Sequence, residues 1–343
     1  MKPRDILLHR LYHQQIAATR FTKPEEIVSW LIAMQSQEYA QAKWAIGLRI
    51  PGLKDADVEN AFNQGRILRT HLMRPTWHFV SPGDIRWLLQ LTAPRVQQIN
   101  AYYYRQTELD AGIFRKAHTI ISKTLEGGRF ATRSVLQEAL QKGKIKAEGV
   151  RLSGIMMHAE LEGLICSGPR SGKQFTYALL EERVPPVKQL AAEEALAGFA
   201  SRYFTSRGPA TVQDFAYWSG LTVKDAQEGA MQLPANFIRE NINGRDYIYL
   251  PIDPDKKLKN ANFIMPDYDE YGMSYKDREA LMPAENANSV FDHCFVLDGR
   301  IAGSWKKAPG NGITVTPFTV LSEARQKALE KAVQRYLAFQ GGI

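Results

Sequence analysis

Cysteine is nearly absent: Cys166 and Cys294 are the two in 343 residues. Two thiols cannot build a disulfide framework or a cysteine-based zinc site, so a reducing, cytoplasmic compartment is expected. Long apolar runs are missing as well. The opening segment MKPRDILLHRLYHQQ has no continuous apolar stretch suited to a signal peptide. Nothing later approaches the ~18 apolar residues of a membrane span, and no membrane association is expected. Neither a Walker loop nor GxGxxG occurs, which leaves nucleotide-driven chemistry without support. A Ser-centred nucleophile elbow is also missing. His9 and His13 stand four apart, but the His-Glu-x-x-His arrangement is absent and no third ligand is evident. They read as surface histidines beside Arg10, and neither a metal nor a cofactor is expected.

What is present is an ordinary globular composition, 44% apolar, 10% aromatic and 23% charged. The length calls for two or more folding units. The net charge of +8 is unevenly spread: the first 190 residues carry +10 and the remainder −2. Such asymmetry fits a polyanionic partner for the N-terminal part, or an alkaline protein that has none.

Three stretches look like repeats of one another. Arg20-Phe21-Thr22 precedes KPEEIVSWLIAM, Arg129-Phe130-Ala131-Thr132 precedes RSVLQEAL, and Arg207-Gly-Pro-Ala-Thr211 precedes VQDFAYWSGL. Thr22 with Glu25 and Thr211 with Asp214 have capping-box spacing, and Ser134 with Gln137 offers the same device in the middle copy. In the third copy Ser219-Gly220-Leu221-Thr222 ends one helix and starts another, with Asp225 completing the cap. FIRENINGRDYIYL follows, alternating around Asn243-Gly244, a strong hairpin signal. Helix, turn, helix, hairpin is a winged helix. The middle copy supplies LSGIMMHAELEGLI as its second helix and LICSGPRSGKQFTYALL as a hairpin with a basic tip at Arg170 and Lys173. The first is less regular, with GRILRTHLMRPTWHFV as a wing pair broken at Pro75.

The fold class expected is therefore α+β, mainly α: three tandem winged helices and a C-terminal β-barrel-like domain closed by a helix. The segments are 1–118 (first winged helix with a helical connection), 119–186 (second), 187–251 (third) and 252–343 (barrel and terminal helix).

Four segments could carry chemistry. Asp267-Tyr-Asp269-Glu270 is an acidic cluster, read as a structural ion-pair network. Tyr102, Tyr103, Tyr104 and Arg105 could stack on bases, although on a helix at least one tyrosine belongs to the core. Gln35-Ser36-Gln37 ends the first helix; on a regular helix the two amides lie ~200° apart, so they share a site only if the helix distorts or stops there. Arg69 to His78 forms a basic wing. If strand-like, Thr76, His78 and Val80 share one face, and Trp77 and Phe79 the other.

QSQ after the first helix, RILRTHLMRPTWHFV, the tandem winged helices and PDYDEYGMSYKDR resemble, in that order, the winged-helix alkyl-purine DNA glycosylases of the AlkZ type. The likeness covers nearly the whole chain, and its specificity comes from the succession of short motifs. It implies a monofunctional glycosylase acting on double-stranded DNA as a monomer, associated with the nucleoid. Alkylated purines, interstrand crosslinks among them, would be its substrates. The family's glutamine–aliphatic–glutamine motif falls on Gln35 and Gln37 as catalytic residues, with Ser36 in place of the aliphatic one. Gln37, where a sister group has aspartate, places the chain by resemblance with the crosslink-processing branch. DNA contacts are expected from Arg69, His71, Arg74, Thr76, Trp77 and His78 in the first wing. Arg105, Arg133, Arg151, Arg170 and Lys173 are expected to add others. The alternatives are a non-catalytic DNA-binding protein such as a transcription regulator, indifferent to the glutamines, and a scaffold whose winged helices bind proteins.

Overall fold

The chain begins with two short helices, α1 (Pro3–His13) and α2 (Pro24–Trp30). The Glu26 carboxylate receives the Thr22 and Lys23 N–H groups at 2.9 and 2.8 Å, and these bonds hold its carboxyl below the ordinary range. Lys23 is the N-cap, one residue later than the Thr22–Glu25 box expected. The computed structural model describes residues 3–187, 190–253, 261–282, 293–309 and 312–341, and the class is α+β. Two compact units divide the chain. One comprises Met1–Glu59, Leu196–Trp218 and Thr222–Ile343, the other Asn60–Ala195 and Ser219–Leu221. The charge follows this division: the second unit holds 19 Lys and Arg against 12 Asp and Glu, the first 25 against 24.

After α2 the chain turns at Ile32 into a three-residue strand, β1 (Ala33–Gln35), then forms α3 (Tyr39–Gly47) and α4 (Asp55–Asn63). The second unit opens with a hairpin of β2 (Leu68–Leu72) and β3 (Thr76–Val80), in register from Leu68 opposite Val80 to Leu72 opposite Thr76. The helical connection is α5 (Ile85–Gln106) and α6 (Ala111–Leu125), the latter capped by Asp110. The middle repeat follows as β4 (Ala131–Thr132), α7 (Arg133–Lys142), α8 (Gly149–Leu161), β5 (Ile165–Ser167), β6 (Thr176–Leu179) and α9 (Leu180–Arg183). Thr132 caps α7, displacing Ser134 from that role. Its sheet runs β4-β6-β5, and its core gathers Phe114, Ile121, Leu136, Leu140, Leu152 and Ile155.

The chain continues with α10 (Ala192–Arg207), α11 (Val212–Ser219), α12 (Val223–Met231), β7 (Ile238–Ile242) and β8 (Arg245–Tyr249). Both expected capping boxes form here, Thr211 with Asp214 and Thr222 with Asp225. Asn243 and Gly244 turn the hairpin with φ of 51° and 78°, as a tight primed turn requires. Phe199, Tyr203, Phe215 and Trp218 interlock between α10 and α11, with Tyr203 and Phe215 centroids 4.9 Å apart. The final segment has β9 (Phe263–Ile264), α13 (Glu270–Met273), β10 (Cys294–Leu297), β11 (Arg300–Lys307), β12 (Ile313–Pro317) and α14 (Glu323–Phe339). The sequence VFDHCFVLDGRIAGSWK is expected to form a hairpin turning at Asp298-Gly299, and its residues 290–292 lie outside the described residues. Among the described residues the expected barrel-like domain is an open antiparallel sheet ordered β12-β11-β10-β9, with no closed barrel. Tyr336 and Phe339 of α14 pack on Trp44, whose indole N–H donates to Ile264 O at 2.8 Å.

Gly220, just past α11, has φ +73°, and a Cβ there would lie 2.3 Å from Met73 O within the same unit. Left-handed backbone and a rigid carbonyl both oppose a side chain. Gly220→Ala is expected to cost about 2 kcal/mol or more, read as a lower urea midpoint at unchanged m; an unchanged midpoint contradicts this.

His9 and His13 are not the bare surface pair the sequence suggested. Their rings pack 5.8 Å apart, and His13 Nε2 lies 3.0 Å from Leu250 O. Burial depresses the His13 pKa to about 4 from 6.5. Between those values the unfolded chain takes up a proton that the folded chain refuses, so stability falls as pH drops from 6.5 towards 4. The expected loss is about 1 kcal/mol per pH unit for this group. His13→Gln, which keeps a donor for Leu250, should flatten the urea midpoint over pH 6.5–4.5; an unaltered slope contradicts the assignment.

Candidate active site and nucleic-acid surface

The QSQ segment is not the end of a helix. α2 stops at Trp30, Leu31 caps it, and Ile32 swings to φ +67° before β1 begins. A β-branched residue rarely occupies that left-handed region, so the turn is strained. Gln35 closes β1 at 7% exposure and Ser36 is fully enclosed, while Gln37 emerges into solvent. The two amides therefore sit at the end of β1 and in the bend that follows it, one enclosed and one presented.

Behind β1 lies a buried polar network. The Gln35 N–H donates to Glu270 Oε1 at 3.0 Å. Glu270 Oε2 receives Arg207 Nη2 at 2.9 Å, Trp218 Nε1 at 2.7 Å and Ser274 Oγ at 2.9 Å. Arg207 Nη2 also donates to Leu31 O and Ala33 O at 2.8 and 3.1 Å. Beside it, Arg49 grips Asp269 through two bonds of 2.8 and 3.0 Å and donates to Gln14 O and Oε1. Gln14 in turn donates to Glu270 O and to Tyr275 Oη. Tyr275 is pushed up to about 12 by burial, so its hydroxyl stays protonated and donates to Arg207 O at 2.8 Å.

The acidic cluster is thus an ion-pair network, as expected, with Arg49 and Arg207 as the buried partners of Asp269 and Glu270. The nearby cations of the same stretch do other things: Arg278 Nε caps Gly272 O. Asp267 pairs with His293 at 2.7 Å. Among the described residues, no group of three or more His, Cys, Asp or Glu is placed to hold a metal.

The expected DNA contacts lie in the second unit and divide sharply. Arg69 is 8% exposed, its guanidinium between the Trp77 and Phe175 rings at 4.3 and 4.6 Å. His71 is buried and hydrogen-bonded through Nδ1 to the buried Glu160. His78 has no exposed surface, and its Nδ1 lies 3.0 Å from Thr76 O. Arg69 and His71 lie on β2, which is buried along its length, and His78 lies in the buried part of β3, so all three side chains are enclosed. Arg74, Thr76 and Trp77 at the turn of the wing are half-buried.

Of the others, Arg105 and Lys173 are exposed. Arg170 is half-buried over Phe175, at 4.1 Å. Arg133 donates to Ser153 Oγ at 2.8 Å. Arg151 is spent on the carbonyls of Lys146 and Thr107, tying α8 to the end of α5. The tyrosine run splits as a helix demands: Tyr104 is buried and Tyr102 exposed.

A family model described as "DNA glycosylase AlkZ-like" matches residues 28–339. The chain belongs to the AlkZ-like DNA glycosylases. Over 365 aligned residues it is 22% identical to the interstrand DNA cross-link repair glycosylase of Streptomyces sahachiroi, spanning 96% of this chain and 94% of that protein. The solved structure of Streptomyces sahachiroi DNA glycosylase AlkZ is similar in fold, with a TM-score of 0.79 at 20% identity over 99% of this chain and 97% of that one. This AlkZ-like enzyme is a hydrolase of DNA, and the reading as a pure regulator or scaffold falls away. Sequence reasoning missed that Arg207 and Glu270 meet at β1. The one local signal was the presence of carboxylates beside apolar residues in PDYDEY, which a buried partner must neutralise.

Proposed function

We propose that this AlkZ-like glycosylase hydrolyses the N-glycosidic bond of cationic, alkylated purines in duplex DNA, interstrand crosslinks included, using Gln35 and Gln37. The observation that carries the reading is the QSQ segment at the exit of β1, with Gln35 fixed inside and Gln37 in solvent. The chemistry asks little of the protein. A purine alkylated at N7 or N3 already carries positive charge and leaves without a strong general acid. What remains is to orient a water and face an oxocarbenium-like sugar. An amide oxygen does both, and its NH2 is left to hold a phosphate or base atom.

The half-exposed and exposed cations of the second unit, Arg74, Arg105, Arg133, Arg170 and Lys173, grip the backbone in this account. Arg69, His71 and His78 hold the wing that presents Thr76 and Trp77. Residues 1–118, with their helical connection, 119–186 and 187–251 act as three tandem winged helices. The enzyme works as a monomer, in the cytoplasm with the nucleoid. A crosslinked purine cannot be turned fully into a closed pocket. The name of the Streptomyces sahachiroi relative, a cross-link repair glycosylase, supports extending the substrate range to such lesions.

Duplex carrying a single N7-methylguanine, and one carrying an N7–N7 crosslink, test this by chromatography of released base. Free 7-methylguanine and an intact, alkali-labile strand are expected from the first; from the second, unlinked strands, one abasic and the other carrying the tethered guanine, with free bis-guanine adduct only after both glycosidic bonds are cut. Strand cleavage without alkali contradicts the monofunctional reading, and no release from either duplex contradicts the substrate class.

A further inference from the structure

Three features converge on the backbone between Leu31 and Gln35, all within the first unit. Ile32 holds φ +67°, a conformation that relaxes unless neighbours enforce it. Arg207 Nη2 bonds the carbonyls on both sides of Ile32, at Leu31 and Ala33, from 2.8 and 3.1 Å. Glu270 takes the N–H of Gln35 at 3.0 Å. In an extended strand the C=O of one residue and the N–H two residues later point to the same edge. Arg207 and Glu270, bonded to each other at 2.9 Å, therefore offer that edge one donor and one acceptor. They do for β1 what an adjoining strand would do.

The pair is itself rigidly held. Its side chains are 0% and 1% exposed. Ser274 Oγ accepts from Arg207 Nε and donates to Glu270 Oε2, both at 2.9 Å. The guanidinium lies 4.0 Å from the Trp218 ring centre, and the Trp218 N–H fixes Glu270. A buried ion pair adds little stability over well-packed apolar side chains. Its effect here is geometric: charged groups bond the backbone in one arrangement only, where apolar ones would tolerate several.

We propose that Arg207 and Glu270 are positioning residues for base excision. They fix the Leu31–Gln35 backbone, and with it the direction in which Gln35 and Gln37 leave β1, without touching the substrate. This rests on the glycosylase reading of the QSQ segment.

The test is the double variant Arg207→Met/Glu270→Leu, which removes both charges together and fills the space. Single-turnover release of N7-methylguanine should slow by about 10- to 100-fold, the cost of misplacing a reacting group by about 1 Å. Affinity for the same duplex should stay within about threefold, while the melting temperature should fall, because the Gln35 and Trp218 N–H groups and the Leu31 and Ala33 carbonyls lose buried partners. With 15N-glutamine labelling, the Gln35 amide proton, assigned by its loss in Gln35→Ala, should move upfield once its carboxylate acceptor is gone. A folded double variant excising at the wild-type rate overturns the proposal.

If the double variant fails to fold, Ser274→Ala carries the test. Losing the hydroxyl that bridges the pair should slow excision about 3- to 10-fold at constant affinity, and an unchanged rate overturns the proposal equally. Gln35→Ala and Gln37→Ala in the same assay separate the two levels. If both excise normally, the reading of the QSQ segment has failed. If they lose activity while the double variant keeps it, the positioning role alone has failed.

Discussion

Gln37→Ala is expected to slow base release from an N7-methylguanine duplex by about 10²- to 10³-fold under single-turnover conditions. That is the usual cost of deleting one preorganised polar group aimed at developing charge, about 3–4 kcal/mol. The loss should fall on the rate and spare binding. Gln37 is exposed, so truncating it leaves no orphaned buried group and costs the fold almost nothing. Duplex affinity is expected to come chiefly from cations elsewhere in the chain. Gln35→Ala differs: its side chain is 7% exposed, so a loss of stability of about 1 kcal/mol or more accompanies its kinetic defect. Comparable melting temperatures for the wild type and Gln37→Ala, with rates at least a hundredfold apart, are what the account requires.

Affinity for duplex DNA is expected to fall by about a thousandfold between 50 and 200 mM salt if about six phosphates are neutralised. Seven of the eight excess positive charges belong to the second unit, where 19 cationic residues face 12 acidic ones. Lys173→Ala and Arg105→Ala, both at exposed positions, should each lower the slope of log K against log salt by about one. Arg69→Ala should act differently. With its guanidinium between Trp77 and Phe175, its removal loosens the wing and lowers stability while leaving the slope near its original value. A salt slope near zero for the wild type contradicts the electrostatic grip.

Local chemistry made much of the fold legible. Asn243-Gly244 and Asp298-Gly299 demand tight turns, and the hairpins β7–β8 and β10–β11 are where they put them. Thr211 with Asp214 and Thr222 with Asp225 mark helix starts that the structure realises. The candidate site was less legible, for three physical reasons. The apolar spacing of IVSWLIAM carries on smoothly past Trp30, and nothing in it announces that Ile32 adopts φ +67° and turns helix into strand. Alternation shows which residues share a face but not whether both faces are covered, so Arg69, His71 and His78 looked available when they are enclosed. The buried partners of Asp269 and Glu270 lie 220 and 63 positions away, at Arg49 and Arg207, beyond any local pattern. How far the C-terminal sheet closes was not legible either, since strand spacing does not reveal whether the described strands β9 and β12 meet.

The most direct test compares the wild type with Gln37→Ala on one N7-methylguanine duplex, with enzyme in excess and free base measured against time. The account predicts release by the wild type and a rate at least a hundredfold lower for the variant at matched binding. No release by the wild type, or equal release by the two, contradicts it.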